Sequence, residues 1–254
     1  MLIQALQVLA RAGRSFNLAQ LVAFVDEPDP ALVAAAGRLD PKLFGKVTQD
    51  LETLRLTTSR LFDGGGEALD VNRLFRPVDG KVPLTVISTK FLGDNAKVLF
   101  WVAQFLLQVA RWAGRHPSPR LQGVLLFDEA DLYLPATRQP ATKGPLENLL
   151  RRARSSGLGV MLASQSPGDF DYRSRDNIMS WLVGCISQPV SIRKMQPLLA
   201  DARVDISAKL ASRKTGEFFL LRKGEVTPFR AAKPALMPEG QLADGEILSL
   251  SRRR

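Results

Sequence analysis

Two adjacent carboxylates, Asp128 and Glu129, end a continuous apolar run from Val124 to Phe127 in Gln122-Gly-Val-Leu-Leu-Phe-Asp128-Glu129-Ala-Asp131. A carboxylate at a strand end can hold Mg²⁺ through water. A second one beside it can orient or deprotonate a water molecule. The short apolar run bounded by turn residues reads as a strand buried on both faces. Ligands of open parallel sheets bind at the carboxyl ends of such strands. Asp131 is either a third acid or an exposed residue opening the next turn. The plain alternative for the whole motif is a surface strand ending in solvated acids.

The downstream sequence strengthens the first reading. A polar segment, Pro135-Ala-Thr-Arg-Gln-Pro-Ala-Thr-Lys-Gly-Pro145, leads into a helix over Leu146–Ser156. A second apolar strand follows, Gly159-Val-Met-Leu-Ala163, and ends in Ser164-Gln165-Ser166-Pro167. Two parallel strands joined by a helix form a right-handed crossover, which puts both carboxyl ends on one edge. Gln165 would then stand beside the acids, with Ser164 as a lesser candidate. Its other reading is a strand-end amide bonded to backbone. Arg151, Arg152 and Arg154 precede Ser155-Ser156-Gly157, where favourable charge at a helix carboxyl end alone would place them. Arg138 and Lys143 lie in the polar segment, either as solvated loop cations or as groups that grip phosphates.

The order LLFDEAD…LLRRARSSGLGVMLASQSP resembles the HerA/FtsK superfamily of hexameric DNA-pumping P-loop ATPases, most closely its HerA-like branch. Gly80-Lys-Val-Pro-Leu-Thr-Val-Ile-Ser-Thr-Lys90 resembles that family's preceding strand, and Thr215 to Phe229 its closing hairpin. The match covers roughly residues 80–230. The resemblance implies an α/β fold with a RecA-like parallel sheet core flanked by helices. It implies ATP and Mg²⁺ as cofactors, DNA as partner, and a homo-oligomeric ring, hexameric in the family. It makes Asp128 the Mg²⁺ ligand, Glu129 the general base and Gln165 the sensor of the γ-phosphate or water. It makes Arg154, with Arg151 as the next candidate, an arginine finger reaching a neighbour's nucleotide, from a helix that ends at a subunit interface on the same edge as Asp128 and Gln165. Arg138 and Lys143 would face DNA in the pore.

One departure matters. A phosphate loop needs G-x-x-x-x-G-K-[ST], whose backbone N–H groups and lysine cradle the phosphates. The chain contains none: Asp63-Gly-Gly-Gly-Glu67 lacks Lys-Ser/Thr, and Thr142-Lys143-Gly144 has the wrong order. The chain therefore reads as the carboxyl-terminal portion of such an ATPase, without the Walker A loop. A nuclease, or a separate chain carrying that loop, is an expected partner. The alternative is an inactive or split DNA-binding or assembly subunit with no nucleotide site of its own.

Composition is that of a globular protein, with 45% hydrophobic and 24% charged residues, which argues against a disordered chain. The net charge of +10 is uneven. Residues 1–100 hold 12 basic and 11 acidic side chains, residues 101–254 hold 23 and 14. A basic half fits a polyanionic partner. The single cysteine, Cys185, permits no internal disulfide and reads as a buried thiol, in keeping with a reducing cytoplasm. His116 reads as a loop residue, not a metal ligand. The apolar run Val98–Ala110 falls short of the ~20 residues that span a bilayer, so no membrane association is expected.

These groups need a scaffold. The pattern gives a helical segment over 1–75, an α/β core over 76–232 and a tail over 233–254, and the resemblance implies that the core is RecA-like and carries the Walker B half. Within the core, strands are expected at Leu84–Thr89, Gly123–Phe127, Val160–Ser164 and Trp181–Ser187. Helices are expected at Ala96–Arg115, Leu146–Ser156, Asp176–Met179, Ile192–Ala200 and Ile206–Ala211. A hairpin, Glu217–Leu221 and Val226–Arg230, should turn at Lys223-Gly224.

Overall fold

The computed structural model describes residues 2–13, 16–28, 30–37, 42–57, 69–200, 202, 204–233, 240 and 242–251. The expected loop at Asp63–Gly66 and the terminal arginines lie outside these residues, as does most of the Pro/Gly-rich start of the tail. The chain divides into two compact units, Met1–Leu74 with Ser88–Lys97, and Phe75–Ile87 with Val98–Arg254.

The first unit is helical. It contains α1 (Leu2–Arg11), α2 (Leu18–Asp26), α3 (Pro30–Ala36) and α4 (Lys42–Thr57). Asn17 caps α2: its Oδ1 accepts from Gln20 N while Gln20 Oε1 accepts from Asn17 N, both at 2.9 Å. Pro30 opens α3, where its missing N–H costs no helical bond. Apolar residues at helical spacing, among them Leu21, Val25, Leu32 and Leu51, form this unit's core with Ala5 and Val22. A short helix, α5 (Val71–Phe75), runs to the end of the unit.

In the second unit, α6 (Asn95–Arg115, its first turn in the other unit) buries Val98, Val102, Phe105, Leu106, Val109 and Trp112. Their spacing of three and four puts them on one face. Each buried side chain of this size contributes about 1.5–3 kcal/mol. Phe75 packs on Trp112, with ring centroids 4.8 Å apart.

Next come β1 (Gly123–Phe127), α7 (Ala130–Tyr133), α8 (Lys143–Arg152) and β2 (Leu158–Leu162). β1 and β2 pair in parallel, Gly123 opposite Leu158 and Phe127 opposite Leu162. The crossover expected from sequence is therefore present. The last turn before β2, Ala153–Ser156, tightens to 3-10 geometry and ends at Gly157 in the left-handed region. Its bonds anchor the strand starts. Ser156 Oγ donates to Ala113 O at 2.9 Å, and Gln122 N donates to Gly157 O at 2.7 Å.

A second sheet is antiparallel, in the order β3 (Trp181–Val183), β4 (Glu217–Arg222), β5 (Glu225–Arg230). The hairpin turns at Lys223 and Gly224, both at positive φ, as a tight two-residue loop requires. Between β3 and β4 lie α9 (Pro189–Lys194), α10 (Gln196–Leu199) and α11 (Ser207–Leu210). A last helix, α12 (Asp244–Ser251), forms where only a tail was expected.

Four expectations need correction. Residues 82–89 form no strand, and Leu84 is 90% exposed, because extended alternation yields a ladder only where another edge is offered. β1 is not buried on both faces. Leu125 and Phe127 are buried, but Leu126 is 62% exposed and so is its register partner Met161, at 52%. β3 stops at Val183, which leaves Cys185 exposed, not buried. The turn near Asp176 is a 3-10 helix, Tyr172–Asn177, in place of Asp176–Met179.

Gly157 gives a direct stability test. At φ +61, an added Cβ would lie 2.0 Å from the carbonyl oxygen of Arg120. Gly157→Ala should therefore lose about 2 kcal/mol or more in urea unfolding. Gly114→Ala, in α6 with open space around it, should be neutral or gain up to about 1 kcal/mol. Equal midpoints for the two variants would overturn this account of the β2 start.

Candidate nucleotide site

The two strand ends are held together beyond the regular ladder. Ala163 N donates to Phe127 O at 2.9 Å, and Ala130 N donates to Ala163 O at 2.8 Å. These bonds place Asp128 and Glu129 beside Ser164 and Gln165. All four are exposed, as groups that meet a ligand must be.

Asp128 Oδ1 accepts from Glu129 N at 3.0 Å, which orients that carboxylate. Glu129 itself sits at φ 50, ψ 47, in the left-handed region. A non-glycine residue there carries on the order of 1 kcal/mol of strain. The turn points the chain sharply off β1 and starts α7, with Leu132 N bonding Glu129 O at 2.9 Å. Sequence reading gave no sign of this strained turn.

Asp131 and Ser164 carry more than the sequence indicated. Ser164 Oγ donates to Asp131 Oδ1, and Ser166 N donates to Ser164 Oγ at 3.0 Å. This bridge ties the α7 turn to the segment on either side of Gln165. Asp131 is thus a bonded, half-buried group, neither a free acid nor a solvated one.

Lys143 differs most from expectation. It is 2% exposed, its Nζ 2.7 Å from Asp171 Oδ2 and 2.6 Å from Pro135 O. Asp171, also 2% exposed, takes a second cation: Arg173 Nη2 approaches to 2.6 Å and Arg173 Nε to 2.9 Å. Burial pushes the Asp171 carboxyl up, but the hydrogen bonds from Arg173 and Lys143 outweigh it and hold it well below the usual carboxylate range. Lys143 cannot grip DNA from this position. It anchors the segment after α7 to the segment after Gln165. Arg138 remains exposed.

Arg151 ends in the last turn of α8, and Arg154 lies in the 3-10 turn that follows; both are exposed. They precede β2, so they stand at the amino edge of the sheet. Asp128, Glu129 and Gln165 stand at its carboxyl edge. A five-residue strand at ~3.3 Å per residue separates the two edges. The expectation that Arg154 shares the acids' edge does not hold, and neither arginine can reach the acids of its own subunit.

The donor set fits Mg²⁺. That ion keeps several waters and takes one or two carboxylates together with substrate phosphates. Asp128 offers one such carboxylate, and the described residues contain no cluster of three or more His, Cys, Asp or Glu that would form an all-protein cage. Among the described residues no helix is long and apolar enough to cross a membrane.

No protein-family model matches the chain. Over 97 residues it is 26% identical to a probable helicase of Methanocaldococcus jannaschii, a stretch covering 38% of this chain and 19% of that protein. Among solved structures, the plasmid coupling protein TrwB in complex with a non-hydrolysable GTP analogue aligns with a TM-score of 0.60. Identity is 12%, over 94% of this chain and 63% of that one. VirB4 of Thermoanaerobacter pseudethanolicus aligns with a TM-score of 0.59 at 16% identity, over 92% of this chain and 63% of that one. The chain thus spans less than two thirds of the length of each of these three proteins. The likeness to these solved structures shows the fold, which is RecA-like.

The buried pair yields a test. Lys143→Ala removes one of the two cations on the buried Asp171 carboxylate, leaving Arg173, and should cost about 1–3 kcal/mol. Lys143→Met combined with Asp171→Leu should cost much less. Because the folded carboxyl lies below its unfolded value of about 3.9, its contribution is complete above that value and fades as pH falls toward the folded one. Urea midpoints should therefore drop more steeply below about pH 4 for wild type than for the double variant. Parallel curves would remove the pair from the stability account.

Proposed function

We propose that this chain is the acidic-strand portion of a HerA/FtsK-type ATPase that couples ATP hydrolysis to DNA translocation or unwinding in a homohexameric ring. One observation carries the reading. Asp128, Glu129 and Gln165 sit at neighbouring ends of two parallel strands held in register. A purely structural role requires none of these three side chains.

In this reading Asp128 would hold Mg²⁺, which would supply charge neutralisation for the phosphates. Glu129 accepts the proton of the attacking water. Gln165 orients that water or the γ-phosphate, and the Asp131–Ser164 bridge keeps it in place. Arg138 contacts DNA. The phosphate loop comes from sequence outside these 254 residues, either in the same polypeptide or in a separate chain. Its natural seat is beside the open face marked by Leu126 and Met161, since parallel sheets are ordinarily covered on both faces.

Arg154 acts in trans. A ring uses heterologous contacts, in which one patch meets a different patch on the next copy. An arginine at the amino edge of one subunit and acids at the carboxyl edge of the next suit such a contact. Arg151 is the second candidate.

The missing G-x-x-x-x-G-K-[ST] favours a second reading, a DNA-binding or assembly subunit that does not hydrolyse ATP. The coding sequence upstream discriminates, because an in-frame phosphate loop there supports the first reading.

The isolated chain should bind ATP weakly and hydrolyse it negligibly. Calorimetry showing micromolar affinity with magnesium-dependent turnover would mean that a phosphate cradle exists within it. In the completed enzyme, Glu129→Gln should lower turnover by about 10²–10⁴ while ATP binding persists. Normal turnover would remove Glu129 from the mechanism. Arg154→Ala should lower hydrolysis on the order of 10³-fold. Mixing those subunits with Glu129→Gln subunits should recover activity at interfaces that pair the two intact residues. Near-normal rates for Arg154→Ala alone would sink the finger and pass the role to Arg151.

A further inference from the structure

The two segments that leave the strand ends meet again beyond α7. Pro135 and Phe170 form an antiparallel bridge, flanked by Ala136 N to Asp169 O at 2.9 Å and Asp171 N to Leu134 O at 3.0 Å. Beside this ladder lies a cleft of about 420 Å³. Arg138, Arg173 and Lys194 line it, with Asp169 and Asp171 as its acids. Lys143 sits behind the wall, its charge spent on Asp171. With Lys143 counted, and with the Glu147 carboxylate that acts on Arg173, four cations face three carboxylates. Asp169 balances little, lying 3.5 Å from Lys194 with both groups more than half exposed. The cleft therefore keeps a positive excess facing solvent.

We propose that this cleft binds the sugar-phosphate backbone of DNA. It takes its partner from the DNA-coupled reading above and adds a place. The chemistry favours phosphate over bases. The aromatic rings at the cleft, Phe170 and Tyr172, are buried, and Tyr172 OH is spent on Pro167 O at 2.9 Å. No ring is offered for base stacking, so binding is by charge and independent of sequence. Arg173 is held in place by its bidentate contact with Asp171, and such a preset guanidinium suits a phosphate oxygen. Both walls continue directly from the strands that carry Glu129 and Gln165. DNA in the cleft therefore pulls on the same two segments that hold the hydrolytic groups.

The test is fluorescence anisotropy of the whole chain with labelled DNA, single-stranded in one arm and duplex in the other, over a salt series without nucleotide. Arg138→Gln with Lys194→Gln should weaken binding by about tenfold or more and flatten the salt dependence by roughly one to two phosphate contacts. The charge-matched pair Lys209→Gln with Arg222→Gln, on α11 and β4, should do neither. All four side chains are exposed, so unfolding midpoints should be unchanged, and the comparison reads binding alone. Equal losses in both pairs would assign binding to diffuse charge and overturn the cleft. So would wild type that binds neither DNA, or ATP that displaces DNA one for one, which would make this a nucleotide site. The hydrolysis reading is judged separately, on turnover of the completed enzyme. It survives any of these failures, and the cleft survives a failure of turnover.

Discussion

Two hydrogen bonds outside the regular sheet, Ala163 N to Phe127 O and Ala130 N to Ala163 O, hold the ends of β1 and β2 side by side. Everything proposed for the site depends on them. The parallel register places Phe127 opposite Leu162, so the next residues on each strand carry Asp128, Glu129, Ser164 and Gln165 to one edge. A slip of one residue would turn Leu125 and Phe127 outward and disperse the acids. Their burial, together with the fixed strand starts at Gln122 and Gly157, opposes that slip. Packing energy thus becomes positional accuracy at the solvent-facing end.

A second constraint begins where the first ends. After the site, the two chain segments separate around α7 and are joined again by Lys143 and Asp171. Burying an ammonium and a carboxylate costs several kcal/mol each, and only good geometry and added hydrogen bonds repay it. Here Pro135 O and Arg173 supply those bonds. A hydrophobic pair would hold two loops together as well. What the ion pair adds is direction. It requires one orientation of the segment after Tyr133 relative to the segment after Gln165, because either charge left alone in the interior is severely penalised.

The sequence disclosed strand order and chemistry better than it disclosed environment. β1, β2, α6 and the Lys223-Gly224 hairpin follow from local periodicity and turn residues, and the structure has them within a few residues. The carboxylates at Asp128 and Glu129 were legible because an apolar run ended abruptly. Three other features were hidden, each set by residues far apart in the chain. Lys143 looks like a loop cation until Asp171, 28 positions later, is placed against it. Asp131 looks solvated until Ser164 arrives. The expected strand at Leu84–Thr89 has strand-like alternation, but pairing needs a neighbouring edge that no local pattern encodes.

The exposed side chains then acquire a common meaning. Leu126 and Met161 face solvent in register on a parallel pair, and Leu84 and Val86 alternate on an extended segment without a ladder. Apolar groups arranged with strand periodicity are costly to leave in water, since each one fully buried would contribute about 1.5–3 kcal/mol. The same chain lacks the one motif that a nucleotide site of this fold needs. In the proposed reading, the open apolar sheet and the missing phosphate-loop motif have one cause. A strand and helix bearing a phosphate loop would cover the first and supply the second, so burial of that face and assembly of the site would be a single binding event.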